Sequence, residues 1–154
     1  MGDMSGSWPA QDLPNLTEDV CELISPFDTA YNCIAFAAGD TEKWWWPTQD
    51  DYWPPNVPRD VTFDAFVLAY QTKGFNRCQD GILEPELEKV ALFGRNRGDG
   101  QVVPTHAAIQ LPDGRWASKL GKCEDVHHAT LDALNSPAYG APVLYLSRAR
   151  TKPA

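Results

Sequence analysis

The chain is poor in positive charge: 13 Lys and Arg stand against 21 Asp and Glu, for a formal net charge of -8. The short clusters Arg95-Asn96-Arg97 and Arg148-Ala149-Arg150 do not make a basic field, so nucleic acid is not an expected partner. Long apolar runs are also missing. No stretch approaches the roughly 18 residues that a membrane span requires, and no basic-then-apolar leader opens the sequence. The expectation is a cytoplasmic protein without membrane contact, a leaderless export route aside. Cysteine is sparse, and Cys21, Cys33, Cys78 and Cys123 are scattered evenly, which suits free thiols better than a disulfide framework. Without a secretory context, Asn15-Leu16-Thr17 as a glycosylation sequon and Arg97-Gly98-Asp99 as an adhesion tripeptide read as coincidences. Familiar metal spacings are absent too. Cys123-Glu124-Asp125-Val126-His127-His128 offers thiolate and imidazole but no second ligand pair, so neither metal nor cofactor is expected.

What the chain does have is core material. Of 154 residues, 43% are hydrophobic, with six Trp, five Tyr and six Phe, enough for one core and too little for two ordinary domains. Residues 1–20 are rich in Gly, Ser, Pro and Asp and read as an irregular arm, leaving 21–150 as a single domain. Asp28 or Thr29 can cap a helix that runs to Ala38 and ends at Gly39, which puts Cys33 in its first or second turn. From Trp44 to Pro58 the prolines forbid helix or central strand, so this is a long aromatic loop. Thr62 then caps a helix whose Phe63, Phe66, Val67 and Tyr70 share one face, with Gly74 as its stop.

Beyond that helix the pattern changes to strands. Glu88–Phe93 reads as one, and Thr105–Leu111 with Arg115–Leu120 flank Pro112-Asp113-Gly114 as a hairpin. A helix from Asp125 to Leu134 and a strand from Pro142 to Leu146 complete the reading. Helices first and antiparallel strands afterwards define an α+β class, with N-terminal helices packed on a C-terminal antiparallel sheet.

Two residues carry candidate chemistry. A thiol near a helix N-terminus has its thiolate favoured, and an imidazole roughly 3 to 4 Å away can take the proton. Cys33 meets the first condition, and His106, opening a strand, is the candidate for the second. A catalytic imidazole also needs an orienting partner. With a three-residue turn, Gln110 pairs with Trp116 and Ser118 shares a face with His106 as a diagonal neighbour. A two-residue turn brings Lys119 to that face instead. Asp125 and His128 are alternative orienters.

The block from His106 to Ser118 resembles the His-Val-Gly-Ile-Tyr…Gly…Ile-His hairpin of NlpC-like peptidases in the papain-like cysteine hydrolase superfamily. Asn32-Cys33-Ile34-Ala35-Phe36 resembles their Asp-Cys-Ser-Gly-Phe motif. The chain is also similar to a small uncharacterised bacterial domain family, through its Asn-Cys-x-Ala-aromatic-Ala, Trp-Trp-Pro, Thr-His-Ala-Ala and Trp-x-Ser-Lys-Leu-Gly blocks across residues 30–148. The first resemblance implies a papain-like, NlpC-like fold and a cysteine hydrolase or acyltransferase acting on an amide bond of a peptide or other substrate. It implies Cys33 as nucleophile, His106 as base then acid, and Ser118 as orienter. Phe27 stands where papain has its oxyanion glutamine, six residues before the cysteine, which leaves the Cys33 amide, the Tyr31 hydroxyl or the Asn32 amide for that role.

The aromatic loop supports a different class. Trp44, Trp45, Trp46, Tyr52 and Trp53 can form a stacking platform, with Trp45, Trp46 and Trp53 as substrate contacts, or they can staple the loop onto the core. The alternative to the hydrolase is therefore a non-enzymatic protein-interaction or ligand-binding module that uses this loop.

Overall fold

The computed structural model describes residues 21–25, 31–119, 125–134 and 139–150. Its centre is a seven-stranded, wholly antiparallel sheet. In chain order the elements are β1 (Cys21–Ser25), α1 (Cys33–Ala38), α2 (Phe63–Gln71), β2 (Asn76–Cys78), β3 (Leu87–Asn96), β4 (Val102–Gln110), β5 (Trp116–Lys119) and β6 (Asp125–His128). A 3-10 turn (Leu131–Leu134) and β7 (Ala141–Ala149) follow. The strands lie in the order β1-β6-β5-β4-β3-β7-β2.

This overturns the α+β layout expected of a papain-like domain. A strand, β1, precedes the helices and joins the sheet edge by pairing with β6. The helices are short, six and nine residues, and do not form an N-terminal layer of their own. The helix expected from Asp125 is instead β6 followed by the 3-10 turn. Pairing on both sides, with β5 and β1, gives Asp125–His128 ladder bonds that a local reading of the sequence cannot see.

Other elements form as their sequences dictate. Thr62 caps α2 by accepting from the Ala65 amide at 3.2 Å. The β4–β5 hairpin adopts the three-residue turn: Gln110 faces Trp116, and the Leu111 amide donates to the Arg115 carbonyl at 2.7 Å. The cap of α1 is Asn32, whose side-chain oxygen accepts from the Ala35 amide at 3.0 Å, and Gly39 closes the helix at φ 91°. Cys33 is thus the first residue of the helix. The proposed caps Asp28 and Thr29, the arm 1–20 and Cys123 lie outside the described residues.

Strand alternation divides the core in two. Val90 and Leu92 of β3, Ala107 of β4 and Leu144 and Leu146 of β7 join one cluster with Ile34, Ala35, Phe66, Tyr70, Trp45 and Trp53. The small side chains of α1 let its backbone lie close to the sheet, and the Tyr70 hydroxyl donates to the Ile34 carbonyl at 2.7 Å. The opposite face carries Lys89, Phe93, His106, Gln110, Trp116, Ser118 and His128, all buried. Residues 79–86 cover part of that face. There Lys89 Nζ meets Asp80 at 3.1 Å and Glu84 at 2.6 Å, and the Gln110 amide donates to the Gly81 carbonyl at 2.8 Å.

Candidate functional site

Cys33 is only 7% exposed. Burial raises its thiol to about 11, even though backbone amides of Ala107 and Ile34 and the Lys119 charge favour the thiolate. Lys119 is buried as well, with Nζ 5.1 Å from the centre of the Tyr31 ring. The Cys33 surroundings therefore combine an amide-lined sulfur with a lysine and an aromatic ring, in a setting that keeps the proton on sulfur.

His106 is elsewhere. The Ala107 side of β4 faces α1, so its neighbour His106 projects from the other face of the sheet. There its ring stacks on Tyr139 at 4.2 Å and meets Phe93 edge-on at 5.3 Å. It is fully buried, and neither ring nitrogen has a hydrogen-bond partner among the described residues. Burial, with a smaller contribution from His128, lowers His106 to about 3. Cys33 and His106 are thus not brought together: the thickness of a β-sheet separates them.

Ser118 does share a face with His106, as the hairpin register implies, but its hydroxyl is committed to a different ring. Ser118 Oγ lies 2.9 Å from His128 Nε2, and His128 Nδ1 lies 2.7 Å from the Thr130 carbonyl. A carbonyl only accepts, so the proton sits on Nδ1, and Nε2 accepts from the serine hydroxyl. The bonding order is that of nucleophile, base and orienter. The chemistry is not, because both side chains are fully enclosed and burial, its largest cause, holds His128 down at about 4, too weak a base near neutrality.

The expected substrate contacts have structural occupations. Asn32, besides capping α1, donates to the Trp45 carbonyl at 2.6 Å and accepts from the Trp45 amide at 3.1 Å. Tyr31 is buried and stacks with Phe36 at 6.0 Å. Trp45 is 0% and Trp53 3% exposed, with their indole N–H groups bonded to Asp40 at 2.9 Å and Pro58 at 2.8 Å. Half-buried Trp46 meets Phe66 of α2 edge-on. The loop is stapled, and no stacking platform stands in solvent at Trp45 or Trp53. His127 and His128 point to opposite faces of β6. Among the described residues no cluster of three or more His, Cys, Asp or Glu could hold a metal.

One concave feature escaped the sequence reading. A cleft of about 280 Å³ lies between Val61–Asp64 at the head of α2 and Arg97 with Gln101–Val103 at the end of the β3–β4 hairpin. Val61 and Val102 are 38% and 46% exposed there. Arg97 bonds Asp99 at 2.9 Å and also donates to Gln101. Gly94 makes the arrangement possible, since a Cβ on it would fall 2.5 Å from the Phe63 ring. Gly94 lies inside β3, which runs past the Phe93 end expected from the sequence, and a strand glycine marks such a close approach.

Fold and site together define an antiparallel-sheet domain with a closed thiol on one face and a closed imidazole pair on the other. The chain belongs to the DUF7689 family, a domain of unknown function whose family model matches residues 22–147. Neither a curated protein nor a solved structure matches it. No helix among the described residues is long and apolar enough to cross a membrane.

Proposed function

We propose that this chain is a non-enzymatic binding module in which Cys33 is part of the core and the cleft beside α2 is the ligand seat. The observation that carries this reading is the placement of Cys33 and His106 on opposite faces of one sheet, which leaves no proton path between them. Support for the seat comes from its lining, with exposed valines beside a polar rim of Asp64, Arg97 and Gln101. Such a lining fits a peptide partner that offers one aliphatic side chain with polar groups on either side. In this reading the Trp-rich loop serves by holding α2 in place through Trp46 and Trp53, both packed on Phe66.

Titration of isotope-labelled protein with short peptides bearing Leu, Ile or Val tests the seat. Resonance shifts should cluster at Val61, Phe63, Val102 and Val103 and vanish in Val102→Asp. Alkylation of Cys33 at pH 6 faster than an ordinary thiol, and lost in His106→Ala, would sink the module in favour of the enzyme.

A second reading, a cysteine hydrolase or acyltransferase acting on amides, draws on one observation. Cys33 opens α1 with the amides of Ala107 and Ile34 at its sulfur, a setting that stabilises a thiolate once formed. Attack of the Cys33 sulfur on an amide carbon would break the C–N bond, leave the acyl group as a thioester on Cys33 and release the amine carrying the proton given up by the thiol, without His106.

A further inference from the structure

His106 and His128 are two wholly enclosed imidazoles on the sheet face turned away from the helices. Among the described residues, no carboxylate acts on the charge of either ring. The titratable groups on that side, among the described residues, are Tyr139, Tyr145, Cys78, Lys89, Asp80 and Glu84, and the two carboxylates are engaged by Lys89. His127, on the opposite face of the same strand, adds repulsion to a charge on His128.

Both rings fit their seats only when neutral. His106 sits between Phe93 and Tyr139 with no hydrogen-bond acceptor at either nitrogen among the described residues. His128 uses Nδ1 to donate to Thr130 and Nε2 to accept from Ser118. Even with Ser118 turned to accept, a proton on Nε2 would bring a buried charge with no counter-ion among the described residues. Relief comes only from water reaching the rings.

We propose that His106 and His128 form an acid-operated latch, which keeps this sheet face closed while both rings are neutral and opens it when they take up protons. Opening would uncover the apolar surface of Phe93, Ala108, Trp116 and Leu134, all buried in the closed form. Because the closed form binds protons less readily than the open one, stability is present above the ordinary histidine range and is lost as pH falls. Each ring contributes roughly a tenfold change in the opening equilibrium per pH unit below about 6, so the pair gives about a hundredfold between pH 6 and pH 5. The latch stands apart from the cleft and does not depend on the binding-module reading.

Urea denaturation of the full chain at pH 7, 6 and 5, compared with His106→Phe, His128→Asn and the double variant, measures the effect. The histidine-dependent part of the pH response should fall from about a hundredfold to roughly tenfold in each single variant and disappear in the double. The imidazole resonances of His106 and His128 in the folded wild type should show no titration midpoint between pH 7 and pH 5, a readout that holds even where a variant fails to fold. Equal pH slopes for wild type and double variant, or two rings titrating near 6.5 in intact protein, would overturn the proposal.

Discussion

The hydroxyl of Ser118 donates to His128 Nε2 at 2.9 Å, on the sheet face that Cys33 does not reach. The residue expected to orient a catalytic imidazole instead ties β5 to β6. Removing it strands a buried acceptor, and Ser118→Ala should cost about 1–3 kcal/mol in urea denaturation. A loss below about 0.5 kcal/mol would mean that water or another group takes over the bond.

Cys33 is expected to be a slow thiol. With its thiol raised from 9.0 to about 11, it carries roughly a hundredfold less thiolate at pH 8 than an ordinary cysteine. Alkylation followed by peptide mapping should find it lagging the same thiol in the urea-unfolded chain by at least that factor. The same shift has a stability consequence. The folded state retains a proton that the unfolded chain gives up, so the contribution is complete below pH 9.0 and disappears as pH rises to about 11. Cys33→Ala should remove that alkaline component from the pH profile.

The aromatic loop should report on stability before binding. Trp45→Ala and Trp53→Ala delete fully packed rings and should each cost about 3–5 kcal/mol. Trp44→Ala, at a half-buried position, should cost clearly less. Thermal or denaturant melts of the three variants rank them, and equal small losses would argue against the stapled loop.

Gly94→Ala probes the cleft. The added methyl would lie 2.5 Å from the Phe63 ring and 2.9 Å from the Val103 carbonyl oxygen, so the ring must move into the cleft or the hairpin must shift. We expect a loss of about 1–3 kcal/mol and weaker peptide-induced shifts at Val61 and Val102. An unchanged Phe63 environment in the variant would show that the hairpin absorbs the strain instead.

Local signals were legible wherever chemistry acts within a few residues. Thr62 starts α2 through its hydroxyl, Gly39 closes α1 because it lacks a Cβ, and the Pro112-Asp113-Gly114 turn sets the pairing of Gln110 with Trp116. Long-range pairing was not legible. β1 and β6 meet across about a hundred residues, and nothing local in Asp125–His128 distinguishes a doubly paired strand from the start of a helix. For the site, the period of two places Ser118 and His106 on one face, but which face α1 would cover was open. A catalytic pair needs the thiol on the imidazole's side, whereas α1 covers the small Ala107 on the other. The cleft stayed hidden because its walls, Val61–Asp64 and Gln101–Val103, are joined only by the fold.

The triple use of Asn32 bears on chemical ageing. Its side-chain nitrogen donates to the Trp45 carbonyl at 2.6 Å, while its oxygen accepts from Trp45 and Ala35. Deamidation would swap that nitrogen for an oxygen, setting an acceptor against an acceptor inside a sealed contact. One hydrolysed amide would then loosen the start of α1 and the tryptophan loop together, because a single side chain joins them.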